Sequence, residues 1–249
     1  MSPRSQGLEP GPLDRFTVLV KLLAGDSGAI EMAKADTGKP DQDALTWYAS
    51  LFDDIGMENH TAGVNTLRHL FVLLIGLGMR ESSGRHCEGR DRSASNVTQD
   101  TAEAGLFQTS FNASRANELL PQLFQHYLRH PSGFLEVFKD GVACRPSDLE
   151  NFGTGDGREF QRLSKECPAF AAEFAGIGLR HRRKHWGPIN RKEIQLVPEC
   201  DALLRNVQRS WMRPTSVRFC CRDDDQRARQ ERIECALKTG DEWSCPTYL

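Results

Sequence analysis

The run from Asn65 to Glu81, NTLRHLFVLLIGLGMRE, constrains the fold more than any other stretch of the chain. Leu67, Leu70, Phe71, Leu74 and Ile75 recur at helical spacing and form a broad apolar stripe, which predicts a buried, central helix with Asn65 as its N-cap. Its most apolar part, Leu70 to Met79, is far shorter than the ~20 residues a membrane-spanning helix needs. The stripe must therefore be covered by other parts of the chain. Helical spacing also appears from Asp43 to Ile55 (Leu45, Tyr48, Leu51, Phe52, Ile55), Ala113 to Leu128, Phe134 to Phe138, Glu159 to Ile177 and Arg191 to Trp211. Pro168 and Pro198 are expected to break or restart the last two. Residues 85–112 differ in kind, being polar and rich in Gly, Ser, Asp and Glu. The expected class is mainly α (α+β), a helical domain with an irregular or small β-hairpin segment around 85–112.

A chain of 249 residues suits one domain, read here as 1–249 with two peripheral parts. Residues 1–13 contain Pro3, Pro10 and Pro12 and are expected to be a loose extension, while the cysteine-rich 213–249 is expected to pack on the domain. Phe16 to Gly25 is interrupted by Lys21 and lacks a clean small-x-small site, so it reads as a mature N-terminus. Lys+Arg 32 against Asp+Glu 34 gives a net charge of −2, which removes the basic footprint of general nucleic-acid binding. Cys87, Cys144, Cys167, Cys200, Cys220, Cys221, Cys235 and Cys245 show no Cys-x-x-Cys spacing. They are expected to form disulfides in an oxidising compartment, which implies an extracytoplasmic location. His126 and His130 lie four apart on a predicted helix, but no third ligand is near in sequence, so neither a metal nor a cofactor is expected.

Glu81 stands 14, 11 and 7 positions after Leu67, Leu70 and Leu74, within about 40° of each on a helix of about 3.6 residues per turn. If the helix reaches that far, the carboxyl leaves from its apolar face. Such a group loses solvation, its pKa rises, and it is prepared to act as a general acid.

The neighbourhood sharpens this expectation. Gly78-Met-Arg-Glu81-Ser82-Ser-Gly84, a polar loop, and then Ala104-Gly105-Leu106-Phe107-Gln108-Thr109-Ser110 resemble the active-site signature of the lysozyme-like superfamily, in particular goose-type lysozymes and soluble lytic transglycosylases. Those proteins carry a catalytic Glu followed by Ser at the end of a buried helix, and a Gly-Leu-x-Gln element some way downstream. The matched residues are Glu81, Ser82, Gly105, Leu106 and Gln108. The match spans only this part of the chain. Ser110 stands where goose-type enzymes have an aspartate, and the transglycosylase Tyr-Asn-Ala-Gly pattern is missing.

The resemblance implies a lysozyme-like catalytic domain that cleaves the β-1,4 bond between N-acetylmuramic acid and N-acetylglucosamine in peptidoglycan, without a cofactor and as a monomer. Glu81 would be the acid, and Ser82, Gln108, Thr109 and Ser110 would meet substrate. A second carboxylate must come from the loop. Glu103 ranks first, because residues two apart on an extended stretch share a face and Glu103 precedes Gly105 by two; Asp100 and Asp91 follow. In the basic run Leu179 to Pro188, Trp186 is expected to stack on a sugar ring. Alternatives are a lytic transglycosylase, a chitinase or chitosanase, and a non-catalytic wall-binding protein.

Overall fold

A computed structural model of the chain describes residues 21–22, 25–93, 97–129 and 143–211. The expectations for 1–13, His130, Phe134 to Phe138 and 213–249 lie outside these residues. Within them the protein is mainly helical, and no helix is long and apolar enough to cross a membrane.

Helix α1, Ser27–Ala33, is capped by Asp26, whose side chain accepts from the Ala29 N–H at 2.9 Å. The single helix expected from Asp43 is split at Tyr48 into α2, Ala44–Trp47, and α3, Ala49–Asp53. Tyr48 is buried there and its hydroxyl accepts from the Ile194 N–H at 3.3 Å. Helix α4, Val64–Ser82, contains the predicted apolar stripe and reaches Glu81. Its start departs from expectation: Gly63 is the cap, and Asn65 sits inside the helix, where its amide oxygen accepts from Arg68 at 2.8 Å.

The helical pattern from Ala113 divides at Asn117 into a 3₁₀ turn, Phe111–Ala116, and α5, Leu119–Arg129. The Asn117 side chain accepts from the Leu119 N–H at 2.8 Å, so a local polar contact starts the second helix. Next come α6, Pro146–Leu149, α7, Gly155–Glu166, and α8, Pro168–His181, with Pro168 in the first turn of α8, where its missing N–H costs nothing. After a 3₁₀ turn, Arg183–His185, come α9, Gly187–Asn190, and α10, Pro198–Trp211. Residues 193–197, expected to be helical, are not; they lie against α4, where a Cβ on Gly76 would come within 2.4 Å of Ile194.

The central helix is α8 rather than α4. Helix α8 packs against α1, α4, α5 and α7, and residues all round it are buried, whereas Ile75 and Met79 of α4 face solvent. Small residues explain the difference. Gly176 lies under Met32 and Gly178 under Trp186, so neighbouring elements approach the α8 backbone closely. Phe170 and Phe174 meet Phe160 with ring centroids 5.4 and 4.7 Å apart, and Phe124 and Phe111 extend the cluster.

Two buried charges sit on α8. Glu173 accepts from Lys21 Nζ and Tyr127 Oη, both at 2.7 Å. Arg180 donates to the Lys34 and Ala35 carbonyls at 2.9 and 2.6 Å, and its Nε lies 3.2 Å from the Asp43 carboxylate. Asp43 in turn accepts from the Leu45 and Thr37 N–H groups, so one ion pair joins the end of α8 to the start of α2.

Among the described residues, pairing of β type is confined to one antiparallel bridge between Ala104 and Thr109. The hairpin expected in 85–112 is therefore a tight turn over Gly105–Gln108, which leads straight into the 3₁₀ turn at Phe111. Cys87 is disulfide-bonded to Cys144, with a Cα–Cα distance of 6.0 Å. Cys220, Cys221, Cys235 and Cys245 lie outside the described residues.

Replacing one partner of the buried α8 ion pair is expected to be costly, because the other charge is left buried without compensation. Arg180→Met should lower the unfolding free energy measured by denaturant titration by about 3 to 5 kcal/mol, and a loss under about 1 kcal/mol would contradict the role given to this pair.

Candidate active site

Glu81 occupies the last turn of α4, and Ser83 and Gly84 follow with positive φ, turning the chain sharply away. The side chain is half-buried and leaves from the helix face that the periodicity implied. Burial pushes its pKa up to about 7, with repulsion from Glu103 next in weight, then attraction to Arg191, repulsion from Glu193 and attraction to Arg80. The carbonyl end of the helix dipole also disfavours a negative charge at this point.

The turn over Gly105–Gln108 is held against this helix end. Ser82 Oγ lies 2.9 Å from the Gly78 carbonyl and 2.9 Å from the Leu106 carbonyl, so its single proton is shared between the helix and the turn. Gly78 permits the approach, because a Cβ there would stand 3.1 Å from Leu106. On the other side, Gly105 has φ of +78°, and a Cβ on it would come within 2.3 Å of the Ser164 carbonyl of α7. The absence of a side chain at Gly105 thus serves this close contact with α7.

Gln108 also serves the turn. Its amide donates to the Gly105 carbonyl at 3.1 Å and to the Glu88 carbonyl at 3.4 Å, while the Gly105 N–H donates to Glu88 at 2.8 Å. Thr109 and Ser110 are buried; Thr109 forms the bridge to Ala104, and Ser110 Oγ donates to Asn112 at 2.8 Å. Trp186 is fully buried, covers Gly178, and donates from Nε1 to the Phe107 carbonyl at 2.9 Å. It braces the turn from behind and has no ring face to offer a sugar, which corrects the expectation for it. Ser82, Gln108, Thr109, Ser110 and Trp186 thus shape the site.

The loop carboxylates separate clearly. Glu103 is close enough to Glu81 for their charges to repel, and although it is open to solvent, the protein packed around it pushes its pKa up, with Asp91 adding repulsion. Asp91 is exposed, and its Oδ1 accepts from the Ser93 N–H and hydroxyl at 2.8 and 2.7 Å. Asp100 points elsewhere: its carboxylate lies against Gly157 at the start of α7. Arg85 pairs with Glu88 and, at 3.6 Å, with Asp148.

Arg191 and Glu193 complete the surroundings and were not legible as site residues. Glu193 accepts from Arg191 at 2.5 Å and from Arg80 at 3.2 Å, which sets a charged rim beside Glu81. The signal that could have found them is Gly76: a glycine inside an apolar helix marks a place where another part of the chain comes close.

A cavity of about 650 Å³ lies elsewhere, between α1 and α5, bordered by Lys21, Asp26, Gln122, His126 and Arg129. Its carboxylate, Asp26, is committed to capping α1. Glu81 and Glu103 do not border this cavity.

No protein-family model, curated protein or solved structure matches the chain, so the reading of this site rests on its own residues.

Because the Glu81 pKa rises from 4.5 in the unfolded chain to about 7 in the fold, the stability it contributes is fully present below pH 4.5 and is lost as pH rises through 7. Glu81→Gln cannot ionise and escapes that loss. The variant should match the wild type near pH 4 and exceed it near pH 8 by about 1 kcal/mol, a figure reduced for the side chain's partial solvent access, which corresponds to a Tm gain of about 2 to 4 °C. Equal pH dependence of the two proteins in thermal melts would show that Glu81 is not perturbed.

Proposed function

We propose that the protein is a glycoside hydrolase of muramidase type that cleaves the β-1,4 bond between N-acetylmuramic acid and N-acetylglucosamine in peptidoglycan. The observation that carries this reading is the half-buried Glu81 carboxyl at a helix end, raised to about 7, with Glu103 near enough to repel it. Two carboxyl groups with unequal surroundings are what glycoside hydrolysis requires: one stays protonated to donate to the leaving oxygen, and the other stays ionised to serve the anomeric carbon. Glu81 is the further displaced of the two and takes the acid role. Glu103 takes the role of base, activating water as oxocarbenium character develops. Asp91 acts on Glu103 through charge, and Asp100 has no part.

The mainly helical architecture and the turn held against α4 agree with the lysozyme-like resemblance of Glu81-Ser82 and Gly105-Leu106-Phe107-Gln108. The Cys87–Cys144 disulfide supports action outside the cytoplasm. Chitin and chitosan share the β-1,4 amino-sugar linkage and are the substrates to test beside peptidoglycan. A lytic transglycosylase, which needs no separate base, is told apart by its anhydro-muramyl ends.

With purified peptidoglycan the wild type should release muropeptides with reducing ends, and its rate should fall as Glu81 ionises above about pH 7. Glu81→Gln should lower the rate about 10²- to 10⁴-fold while leaving glycan binding in place. A variant that keeps more than about a tenth of the wild-type rate would remove Glu81 from the mechanism. Glu103→Gln should suppress hydrolysis, with partial rescue by azide giving an inverted glycosyl azide; anhydro ends from a still active Glu103→Gln would assign the transglycosylase route.

A further inference from the structure

His86, Cys87 and Cys144 bring one imidazole nitrogen and two sulfurs within 4.8 Å of one another. The cluster has no part in the chemistry above. His86 and Cys87 are buried, and Cys144 is half-buried. His86 Nδ1 lies 3.0 Å from the Lys165 carbonyl, and since a carbonyl only accepts, Nδ1 carries the proton. The lone pair is therefore on Nε2, which stands 3.9 Å from Cys144 Sγ. A ring N–H held by a backbone carbonyl, with the opposite nitrogen turned toward sulfur, is the arrangement that orients an imidazole for a metal.

We propose that the reduced form of this cluster is a zinc site, in which Cys87, Cys144 and His86 Nε2 bind Zn²⁺, and that zinc and the disulfide are alternative states of the same pair of cysteines. Two thiolates and a neutral imidazole suit Zn²⁺, which takes Zn–S bonds of about 2.3 Å and Zn–N bonds of about 2.0 Å. Tetrahedral binding needs the sulfurs about 3.8 Å apart, a spacing they reach only once the S–S bond is open. A cavity of about 260 Å³ bordered by His86, Cys87, Cys144, Asn151 and Lys165 leaves room for a water as the fourth ligand. Lys165 keeps its ammonium turned away, donating to the Asp148 and Glu150 carbonyls at 2.9 and 2.6 Å.

The chemistry balances in two steps. A dithiol reductant supplies two electrons and two protons to the Cys87–Cys144 bond and closes into its own disulfide. Zn²⁺ then displaces the two thiol protons and forms two Zn–S bonds and one Zn–N bond. In a newly made chain the thiols are present already, and zinc would shield them from mispairing with the remaining cysteines until a small-molecule disulfide accepts two electrons from the two thiolates, is itself cleaved to two thiols, and leaves the Cys87–Cys144 bond and free Zn²⁺. The same loop carries Glu88, whose carbonyl holds Gly105 and Gln108, so both states anchor the turn beside Glu81.

The test is anaerobic titration of the full chain with Zn²⁺ against a chromophoric chelator, with Co²⁺ absorption as the reporter of thiolate ligation. Reduced wild type should hold one more metal equivalent than the oxidised protein, and its Co²⁺ complex should show thiolate-to-metal charge transfer and tetrahedral d–d bands. Cys144→Ala should lose that equivalent. His86→Ala keeps both cysteines, and its oxidised form reports whether folding survives; its reduced form should bind at least about tenfold more weakly with altered d–d bands. Absence of zinc uptake by the reduced wild type would overturn the proposal. So would uptake that is the same in Cys144→Ala and His86→Ala, since that places the metal on other cysteines.

Discussion

The site depends on one turn held between two helices. The Gly105–Gln108 turn lies between the end of α4 and the body of α7; Gly105 has no room for a side chain against the α7 backbone, and Gly78 lies close beneath the Leu106 side chain. A Cβ at Gly105 would overlap the Ser164 carbonyl, at 2.3 Å, while the Ser82 hydroxyl bridges α4 and the turn. Trp186 closes the stack from behind, bonded to Phe107 and resting on Gly178 of α8. Through these contacts the packing of the central helix sets the position of the strand of chain that carries Glu103, and so the distance over which two carboxyl groups act on one another.

From that geometry the electrostatics follow. A carboxyl at the carbonyl end of a helix, half removed from water and facing another carboxyl, is destabilised as an anion by three effects of the same sign. Arg191 and Arg80 oppose them in part, but both are also drawn to Glu193, which limits what they return to Glu81. The outcome is an acid that keeps its proton into the neutral range beside a more exposed carboxylate. This difference in surroundings, rather than the presence of two acids, supports the hydrolytic reading.

The parts legible in the sequence were those written in periodicity. Glu81 could be placed on the apolar face of α4 by counting from Leu67. Pro168 marked the restart of α8 for the reason expected of a helix N-terminus. What was not legible depended on contacts between residues far apart in the chain. Trp186 sits in a basic run where its ring is expected to meet a sugar, yet its indole is taken inward by the bare backbone at Gly178. Gln108 and Ser110 look like ligands for a substrate in a linear motif, but the turn uses their polar atoms for itself. Spacing ranked Asp100 only second to Glu103, and the turn of its carboxylate toward Gly157 is visible only in the fold.

The central claim is that Glu81 keeps its proton near neutral pH because of where the helix ends and what faces it. The most direct measurement is a carboxyl ¹³C NMR titration of protein labelled at the Glu side-chain carbon, with the Glu81 signal assigned by its absence in Glu81→Gln. The account predicts a midpoint near 7 for that signal, moving toward 4.5 when Glu103→Gln removes the neighbouring charge. A midpoint at 4.5 in the wild type would mean that Glu81 is an ordinary surface carboxylate at neutral pH, and the acid role assigned to it would fall.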